Sequence, residues 1–179
     1  MIRLFSTVLA FAFAMTFLAG NSAQAAGDKL VIELKTGKVV IQLRPDLAPK
    51  HVERVKTLAS QGFYNGLKWH RVIDGFMAQT GDPTGTGMGG SKLPDLPAEF
   101  SQEPYKRGTV GAARTQDPNS ANSQFFICFT DTGCAGLTGQ YTVWGQVISG
   151  MENVDKIKRG EPGSGTVEDP DTMLKVYVE

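Results

Sequence analysis

The chain has 179 residues, and its 18 lysine and arginine side chains are balanced by 18 aspartate and glutamate side chains. This length suits one domain with a short leader. The balanced charge gives no reason to expect nucleic acid or an anionic membrane surface as a partner.

The N-terminal segment, residues 1–25, has the organisation of a secretory signal peptide. Arg3 is its only charged residue, an apolar run extends over residues 4–18, and Ala23-Gln24-Ala25 forms a cleavage site of small residues. The run has about 15 residues, whereas a bilayer-spanning helix needs about 20. An uncleaved membrane anchor is the alternative. We expect cleavage after Ala25, a mature domain of residues 26–179 without membrane attachment, and a periplasmic protein, or a secreted one if the host has a single membrane.

The mature segment has the pattern of a mainly β protein. Residues 30–35 and 38–44 flank a glycine-containing turn and predict a β-hairpin. Further strands are predicted at residues 69–73, 76–80, 108–113, 124–129, 141–148 and 172–178.

Two helices are predicted. The first is amphipathic, because apolar residues recur at helical spacing before a glycine stop. These residues are Val52, Val55, Leu58, Ala59 and Gly62. His51 falls on the exposed side of this helix, and residues 152–158 predict a second, short helix. Many strands with only two distant helices argue against βαβ units. We therefore predict a closed eight-stranded antiparallel β-barrel whose two helices cover its open ends.

The two cysteines, Cys128 and Cys134, have different surroundings. Cys128 lies in an apolar run and by itself is typical of a small buried hydrophobe. Cys134 lies in a glycine-rich loop. A disulfide between them requires Cα atoms within about 7 Å. Their spacing leaves both the disulfide and two free thiols open.

Familiar catalytic and cofactor motifs are missing. The two histidines, His51 and His70, belong to no cluster with zinc spacing, and there is no GxSxG elbow. Residues 85–90 match GxGxxG, but Gly81-Asp82-Pro83 precedes them and Leu93-Pro94 follows, where a dinucleotide site needs a strand and a helix, so a flexible surface loop is favoured over a nucleotide site. We expect neither a metal nor a cofactor.

One short segment concentrates residues that suit a binding groove. Strand alternation places Met77 and Gln79 on one face, and Arg71 lies on the adjoining predicted strand. Individually, Met77 and Phe126 are typical of a core and Arg71 of a surface charge, so none of them indicates a site alone.

Taken together, three segments resemble the cyclophilin family. Phe76-Met77-Ala78-Gln79-Thr80-Gly81-Asp82 resembles the signature F-M-x-Q-x-G-D, and residues 113–127 and 141–147 resemble two further signatures. The resemblance extends from about Val31 to Val178 and is closest to the bacterial branch. It implies a peptidyl-prolyl cis-trans isomerase that acts on unfolded or partly folded exported proteins with X-Pro bonds. A proline-peptide-binding chaperone module with little catalysis is the alternative, and a hydrolase or nucleotide enzyme is a third, more distant one.

The resemblance also implies the roles of individual residues. Arg71 is the expected catalytic cation. The apolar proline pocket would be formed by Phe76, Met77, Phe126 and Leu137. The other expected substrate-binding residues are Gln79 and Gln124 for the peptide backbone, Ala113 and Arg114 along the groove, and Tyr141 where many relatives have histidine.

The loop before Leu137 departs from the family pattern. Gly136 stands where many relatives have Trp or Phe, and residues 131–136 form a loop that is longer than usual. In the family that aromatic residue contributes to cyclosporin binding, so we expect weak cyclosporin binding here. We also expect a monomer.

Overall fold

The computed structural model describes residues 28–179, so the expected signal peptide lies outside the described residues. The described chain forms one eight-stranded sheet in which all neighbouring strands are antiparallel. Its strands are β1 (Lys29–Leu34), β2 (Gly37–Leu43), β3 (Arg71–Ile73), β4 (Met77–Thr80), β5 (Thr109–Ala112), β6 (Phe125–Cys128), β7 (Val143–Ser149) and β8 (Lys175–Val178). The helices are α1 (Pro49–Ser60), α2 (Asp131–Cys134) and α3 (Met151–Val154), with a 3₁₀ helix at Ala135–Leu137.

The sheet curls into a half-barrel with the strand order β3-β4-β6-β5-β7-β2-β1-β8. The predicted eight antiparallel strands are confirmed, but the predicted closure is wrong, because β3 and β8 share no ladder in residues 28–179. The segments before these two strands meet at an isolated bridge between Lys68 and Thr172 and through single backbone bonds, which include Trp69 N to Asp171 O and Met173 N to Leu67 O, each at 2.9 Å. Pro170 has no N–H to donate, and Asp169 has a positive φ of 51°, so this stretch cannot extend β8 into a continuous ladder.

Helix α1 is confirmed, with an unexpected start. Ala48 provides no side-chain cap; instead the distant Glu99 carboxylate accepts hydrogen bonds from Lys50 N and His51 N, each at 3.1 Å. Glu99 thereby satisfies two backbone donors that the first turn leaves free. It also lies 2.6 Å from His51 Nδ1. The prediction of an exposed His51 is therefore wrong, because this loop contact buries the side chain to 3% exposure.

The second predicted helix is shorter than expected. It is observed only as α3, because Lys156 N and Ile157 N bond to carbonyls three residues earlier, and the backbone beyond them makes tertiary hydrogen bonds. Lys158 N donates to Asp171 Oδ2 at 2.8 Å, and Gly160 N donates to Val72 O at 2.9 Å. None of the helices in residues 28–179 is long and apolar enough to cross a membrane.

Alternation along β6 divides the apolar side chains between two clusters. Phe125 and Ile127 point into the large core, which also receives α1. Phe126 and Cys128 point to the opposite face, because successive strand residues alternate. There they join a smaller cluster with Met77, Tyr105, Cys134 and Val143. The predicted site residues gather above this smaller cluster.

Candidate active site

A cavity of about 170 Å³ opens on the smaller cluster. Every predicted site residue except Gln124 lines it. The lining consists of Arg71, Phe76, Met77, Gln79, Ala113, Arg114, Phe126, Leu137 and Tyr141. Residues that are up to 70 positions apart in the sequence are thus brought around one small space.

The floor of the cavity is apolar and fixed by strand register. Met77 of β4 lies opposite Cys128, and Gln79 lies opposite Phe126 of β6. Phe126 is 4% exposed and Met77 is 2% exposed, so both are held by packing. The ring of Tyr141 meets Phe126 edge to face, with ring centroids 5.9 Å apart. Edge-to-face contacts of this kind favour one ring orientation.

Tyr105 supports the floor from below, although no sequence pattern indicates this role. Its ring stacks on Phe126 with centroids 5.8 Å apart, and it is 2% exposed. Its hydroxyl occupies the space that a side chain at Gly111 would need and has no hydrogen-bond partner among the described residues. Tyr105 lies in a polar stretch without periodicity, so only the folded chain reveals its contact with Phe126.

The polar rim is a row of three hydrogen-bonded side chains. Arg71 Nη1 donates to Gln79 Oε1 at 3.2 Å, and Gln79 Nε2 donates to Gln124 Oε1 at 2.9 Å. Gln124 Nε2 in turn donates to Gly89 O at 2.8 Å and Gly87 O at 3.0 Å. Gln124 therefore lies one step behind the cavity wall, in a neighbouring groove that also borders Gln79.

Arg71 keeps donors available for a ligand. Its Nε donates to Ser164 O at 3.2 Å, a contact from a segment that the sequence did not connect with the site. A guanidinium has five N–H groups. Within the described part of the chain, Arg71 uses one from Nε and one from Nη1. The half-buried side chain thus stands oriented at the cavity with unused donors.

Arg114 forms the opposite wall with its charge already engaged. Its guanidinium donates to Gln140 O at 3.0 Å and Thr115 O at 2.9 Å, and lies 4.4 Å from the centre of the Tyr141 ring. The neighbouring Ala113 N donates to Gln124 O at 3.0 Å. The backbone N–H and C=O of Arg114 have no recorded partner within residues 28–179. This backbone is therefore accessible to an extended peptide.

The glycine-rich segment beside the groove is organised by one carboxylate. Asp82 is 1% exposed and accepts hydrogen bonds from Thr84 N at 2.7 Å, Thr86 N at 3.0 Å and Gly87 N at 2.6 Å. Burial opposes ionisation, but these hydrogen bonds outweigh it and lower the pKa of Asp82 to about 2. The segment is a surface loop without a following helix, which agrees with the prediction.

The fold decides between a disulfide and two free thiols. Cys128 and Cys134 form a disulfide, with Cα atoms 6.2 Å apart. Thr130 caps α2 by accepting from Gly133 N at 3.0 Å and donates to Gly75 O at 2.7 Å. The chain then turns through the 3₁₀ helix, which brings Leu137 to the cavity.

Comparisons with known proteins agree with this geometry. A family profile described as "Cyclophilin type peptidyl-prolyl cis-trans isomerase/CLD" matches residues 29–178. A "Probable peptidyl-prolyl cis-trans isomerase" of Brucella suis is 52% identical over 189 residues, which cover 97% of this chain and 95% of the relative. A peptidyl-prolyl cis-trans isomerase of Helicobacter pylori is 41% identical over 134 residues, covering 73% of this chain and 80% of the relative.

A solved structure resembles the fold directly. It is a cyclophilin-type peptidyl-prolyl cis-trans isomerase of Cryptosporidium parvum, crystallised in the presence of the dipeptide Ala-Pro. The TM-score is 0.77 at 28% sequence identity, over 84% of this chain and 98% of the other. The chain therefore belongs to the cyclophilin-type peptidyl-prolyl cis-trans isomerase family. It is an enzyme that accelerates rotation about X-Pro bonds.

Proposed function

We propose that the X-Pro bond rotates in the 170 Å³ cavity, with Arg71 as the catalytic cation. The observation that carries this proposal is a guanidinium with unused donors at the rim of an apolar space. The proline ring would rest on Phe126 and Met77, between Phe76 and Leu137. The wall of Ala113, Arg114 and Tyr141 would confine it.

The reaction explains why a cation suits this place. The barrier to X-Pro rotation is about 18–20 kcal/mol, because rotation breaks the amide resonance. In the twisted transition state the imide nitrogen regains its lone pair and becomes a hydrogen-bond acceptor. A donor aimed at this nitrogen stabilises the transition state and not the planar ground state, which lowers the barrier. Arg71 remains charged and offers directed donors, so it needs no proton transfer.

Magnitudes show that Arg71 cannot act alone. To accelerate a process of roughly 100 seconds to roughly milliseconds requires about five decades, or about 7 kcal/mol. A hydrogen bond to a charged group contributes about 1.5–3 kcal/mol. The remainder must come from a floor that holds the ring and excludes water, and from groups that fix the flanking peptide.

The groups that would fix the peptide lie on both sides of the bond. The unpartnered backbone of Arg114 can pair with the substrate backbone, as the backbones of neighbouring strands do. Gln79 and Gln124 offer amide groups on the other side. Because the flanking carbonyl is held, rotation is confined to one bond. The conformational entropy of the peptide is then lost on binding and not in the rotation step.

We further infer that the enzyme acts on unfolded or partly folded exported proteins in the periplasm, or outside the cell if the host has a single membrane. The organisation of residues 1–25 supports export. The Cys128–Cys134 disulfide supports it independently, because disulfides persist mainly in oxidising compartments. Cleavage after Ala25, a monomeric mature domain and weak cyclosporin binding belong to the same proposal.

A direct assay tests the catalytic assignment. The mature protein, residues 26–179, is added to a short X-Pro peptide, and cis-to-trans conversion is followed by protease-coupled cleavage. We expect strong acceleration by the wild-type chain and loss of most of it in Arg71→Ala. Arg44→Ala is the matched control, since its guanidinium forms an exposed ion pair with Asp46 away from the cavity.

Near-normal turnover in Arg71→Ala would refute the role of Arg71. Peptide binding without acceleration by the wild-type chain would favour the chaperone-like binding module. Mass determination of the protein recovered from the periplasmic fraction tests export, and a mature chain that begins at Ala26 is the expected result.

A further inference from the structure

The disulfide lies directly beneath the cavity. Cys128 follows Phe126 by two positions on β6 and shares its face of the sheet, and it lies opposite Met77 in the register. Cys134 Sγ lies 3.4 Å from the carbonyl oxygen of Phe76. Both cysteines are fully buried. The bond therefore joins the strand that carries the floor to the segment that carries Leu137.

That segment has few other apolar anchors. Cys134 is the only residue that α2 buries, and the 3₁₀ helix at Ala135–Leu137 buries none. A side chain at Gly136 would meet nothing within 4 Å, so this position lacks both an anchor and a neighbour. Helices of four residues are not stable by themselves, because the conformational entropy lost in forming the first turn exceeds the free energy gained from its hydrogen bond. The position of Leu137 must be imposed from outside the segment.

Polar contacts fix both ends of the segment, and they reach Leu137 only through its backbone, whose carbonyl oxygen accepts from Gln140 N at 3.0 Å and Tyr141 N at 3.2 Å. At the start, Asp131 Oδ1 accepts from Arg107 N at 2.7 Å, and Thr130 donates to Gly75 O. Further on, Thr138 Oγ1 accepts from Tyr105 N at 3.1 Å. Between these contacts, the disulfide is the covalent link that ties the segment to the sheet.

The loop that the disulfide closes is short. The two cysteines are six positions apart. A disulfide stabilises a fold by lowering the conformational entropy of the unfolded chain. This effect grows with the length of the closed loop and is smallest for loops of this size. The bond is thus better suited to fixing local geometry than to stabilising the whole domain.

We propose that Cys128 and Cys134 are positioning residues of the isomerase, and that their disulfide holds Leu137 against the proline ring. The proposal rests on the cavity being the proline site. Without the bond, Leu137 must be ordered by each incoming peptide, and this ordering weakens binding. Immobilising a side chain or loop on binding changes affinity by about three- to tenfold. The chemistry at Arg71 is unaffected, because Arg71 is held by Gln79 and Ser164 on other elements.

The test compares the oxidised wild-type chain, the same chain reduced with a phosphine reductant, and Cys128→Ala/Cys134→Ala. Exchange rates of an X-Pro peptide are measured by NMR, which needs no coupling protease that the reductant could inactivate. Alkylation and mass determination confirm the thiol state. We expect KM to rise about three- to tenfold in both disulfide-free forms, with kcat within about twofold of the oxidised wild type. The reductant should leave the double variant unchanged.

A purely structural disulfide predicts a different result. It would lower the unfolding midpoint and leave KM unchanged, which overturns the proposal; so does a fall in kcat with unchanged KM. If the double variant does not fold, the reduced wild-type chain, checked for native near-UV circular dichroism, provides the comparison.

Peptide affinity measured in the Arg71→Ala background separates this proposal from the catalytic assignment. A loss of affinity on reduction there supports the positioning role even if Arg71 proves dispensable for turnover. If reduction leaves the peptide Kd unchanged there, the positioning role fails while the catalytic assignment stands.

Discussion

Arg71 and Gln79 face each other across β3 and β4, and Arg71 Nη1 donates to Gln79 Oε1 at 3.2 Å. Gln79 Nε2 donates to Gln124 Oε1, and Gln124 in turn donates to carbonyl oxygens of the glycine-rich loop. The direction in which Arg71 points is therefore fixed by neutral amides. Neutral partners leave the positive charge of the guanidinium available to the substrate.

Replacement of Gln79 by Leu should impair the chemical step. The loss of one hydrogen bond that orients a catalytic group corresponds to about tenfold in rate. We expect kcat/KM to fall about tenfold for Gln79→Leu, with the larger part in kcat, as measured by peptide exchange. Gln102→Leu, at an exposed position, is the control and should remain at the wild-type rate. An unchanged kcat in Gln79→Leu would show that the amide row does not orient Arg71.

Replacement of Phe126 by Ala should weaken substrate binding more than turnover. Loss of a buried aromatic floor removes about 1.5–3 kcal/mol of apolar contact with the ring, so we expect KM to rise by at least about tenfold. The unfolding free energy should also fall by about 3–5 kcal/mol, because Phe126 is 4% exposed.

The neighbouring Phe125 provides the control for this loss of stability. It points to the opposite cluster, so Phe125→Leu should lower stability while KM stays within about twofold of wild type. Equal KM changes in both variants, in assays run well below their unfolding midpoints, would mean that Phe126 acts only through stability.

The open space at Gly136 leads to a gain-of-binding prediction. An added side chain there meets nothing within 4 Å, and the backbone φ is not positive, so Gly136→Trp should fold normally. If the missing aromatic is the cause of weak cyclosporin binding, Gly136→Trp should tighten the cyclosporin Kd by about tenfold or more. Fluorescence titration measures this change, and Gly136→Ala, which adds a side chain without an aromatic ring at the same position, is the control. Tight binding by the wild-type chain would contradict the expectation.

Acidification below neutral pH should destabilise the fold through its two buried histidines. Burial lowers the pKa of His51 despite the nearby Glu99 carboxylate, and it lowers the pKa of His70 despite Asp82. Because the unfolded histidines have the ordinary pKa of 6.5, the unfolded chain binds more protons than the folded chain as pH falls through this value. Stability is therefore highest above pH 6.5 and decreases below it.

Urea unfolding at about pH 7.5 and about pH 5.5 measures this effect. The wild-type free energy of unfolding should be lower at the acidic pH, and the difference should shrink in His51→Gln and in His70→Gln. Carboxylates with lowered pKa values, such as Asp82, lose their stabilising effect only as the pH falls below about 5, so they contribute little to the difference between these two pH values. An identical pH dependence in wild type and both variants would exclude the histidines as its origin.

Much of the site followed from the sequence, because several of its residues lie in short linear motifs on strands: Arg71, Met77, Gln79 and Phe126. Period-two alternation places Met77 and Gln79 on one face and separates Phe126 from Phe125, so a motif and a strand together define which side chains line the cavity. Helix α1 was also predictable, since its apolar spacing reports its buried face directly.

Other features were decided only by contacts between distant segments. His51 is buried because Glu99, far along the chain, reaches back to the start of α1. Tyr105 supports Phe126 because a loop without any periodic pattern returns under the sheet.

The amino-acid sequence by itself determined the mainly β class through alternation, and it determined the family and the residues around the cavity through motifs that resemble cyclophilin signatures. The tertiary structure decided that β3 and β8 remain unjoined, that Cys128 and Cys134 meet at 6.2 Å, and that Tyr105 lies beneath the floor. These outcomes depend on the relative placement of segments that are not neighbours in the chain, and no local pattern encodes such distances.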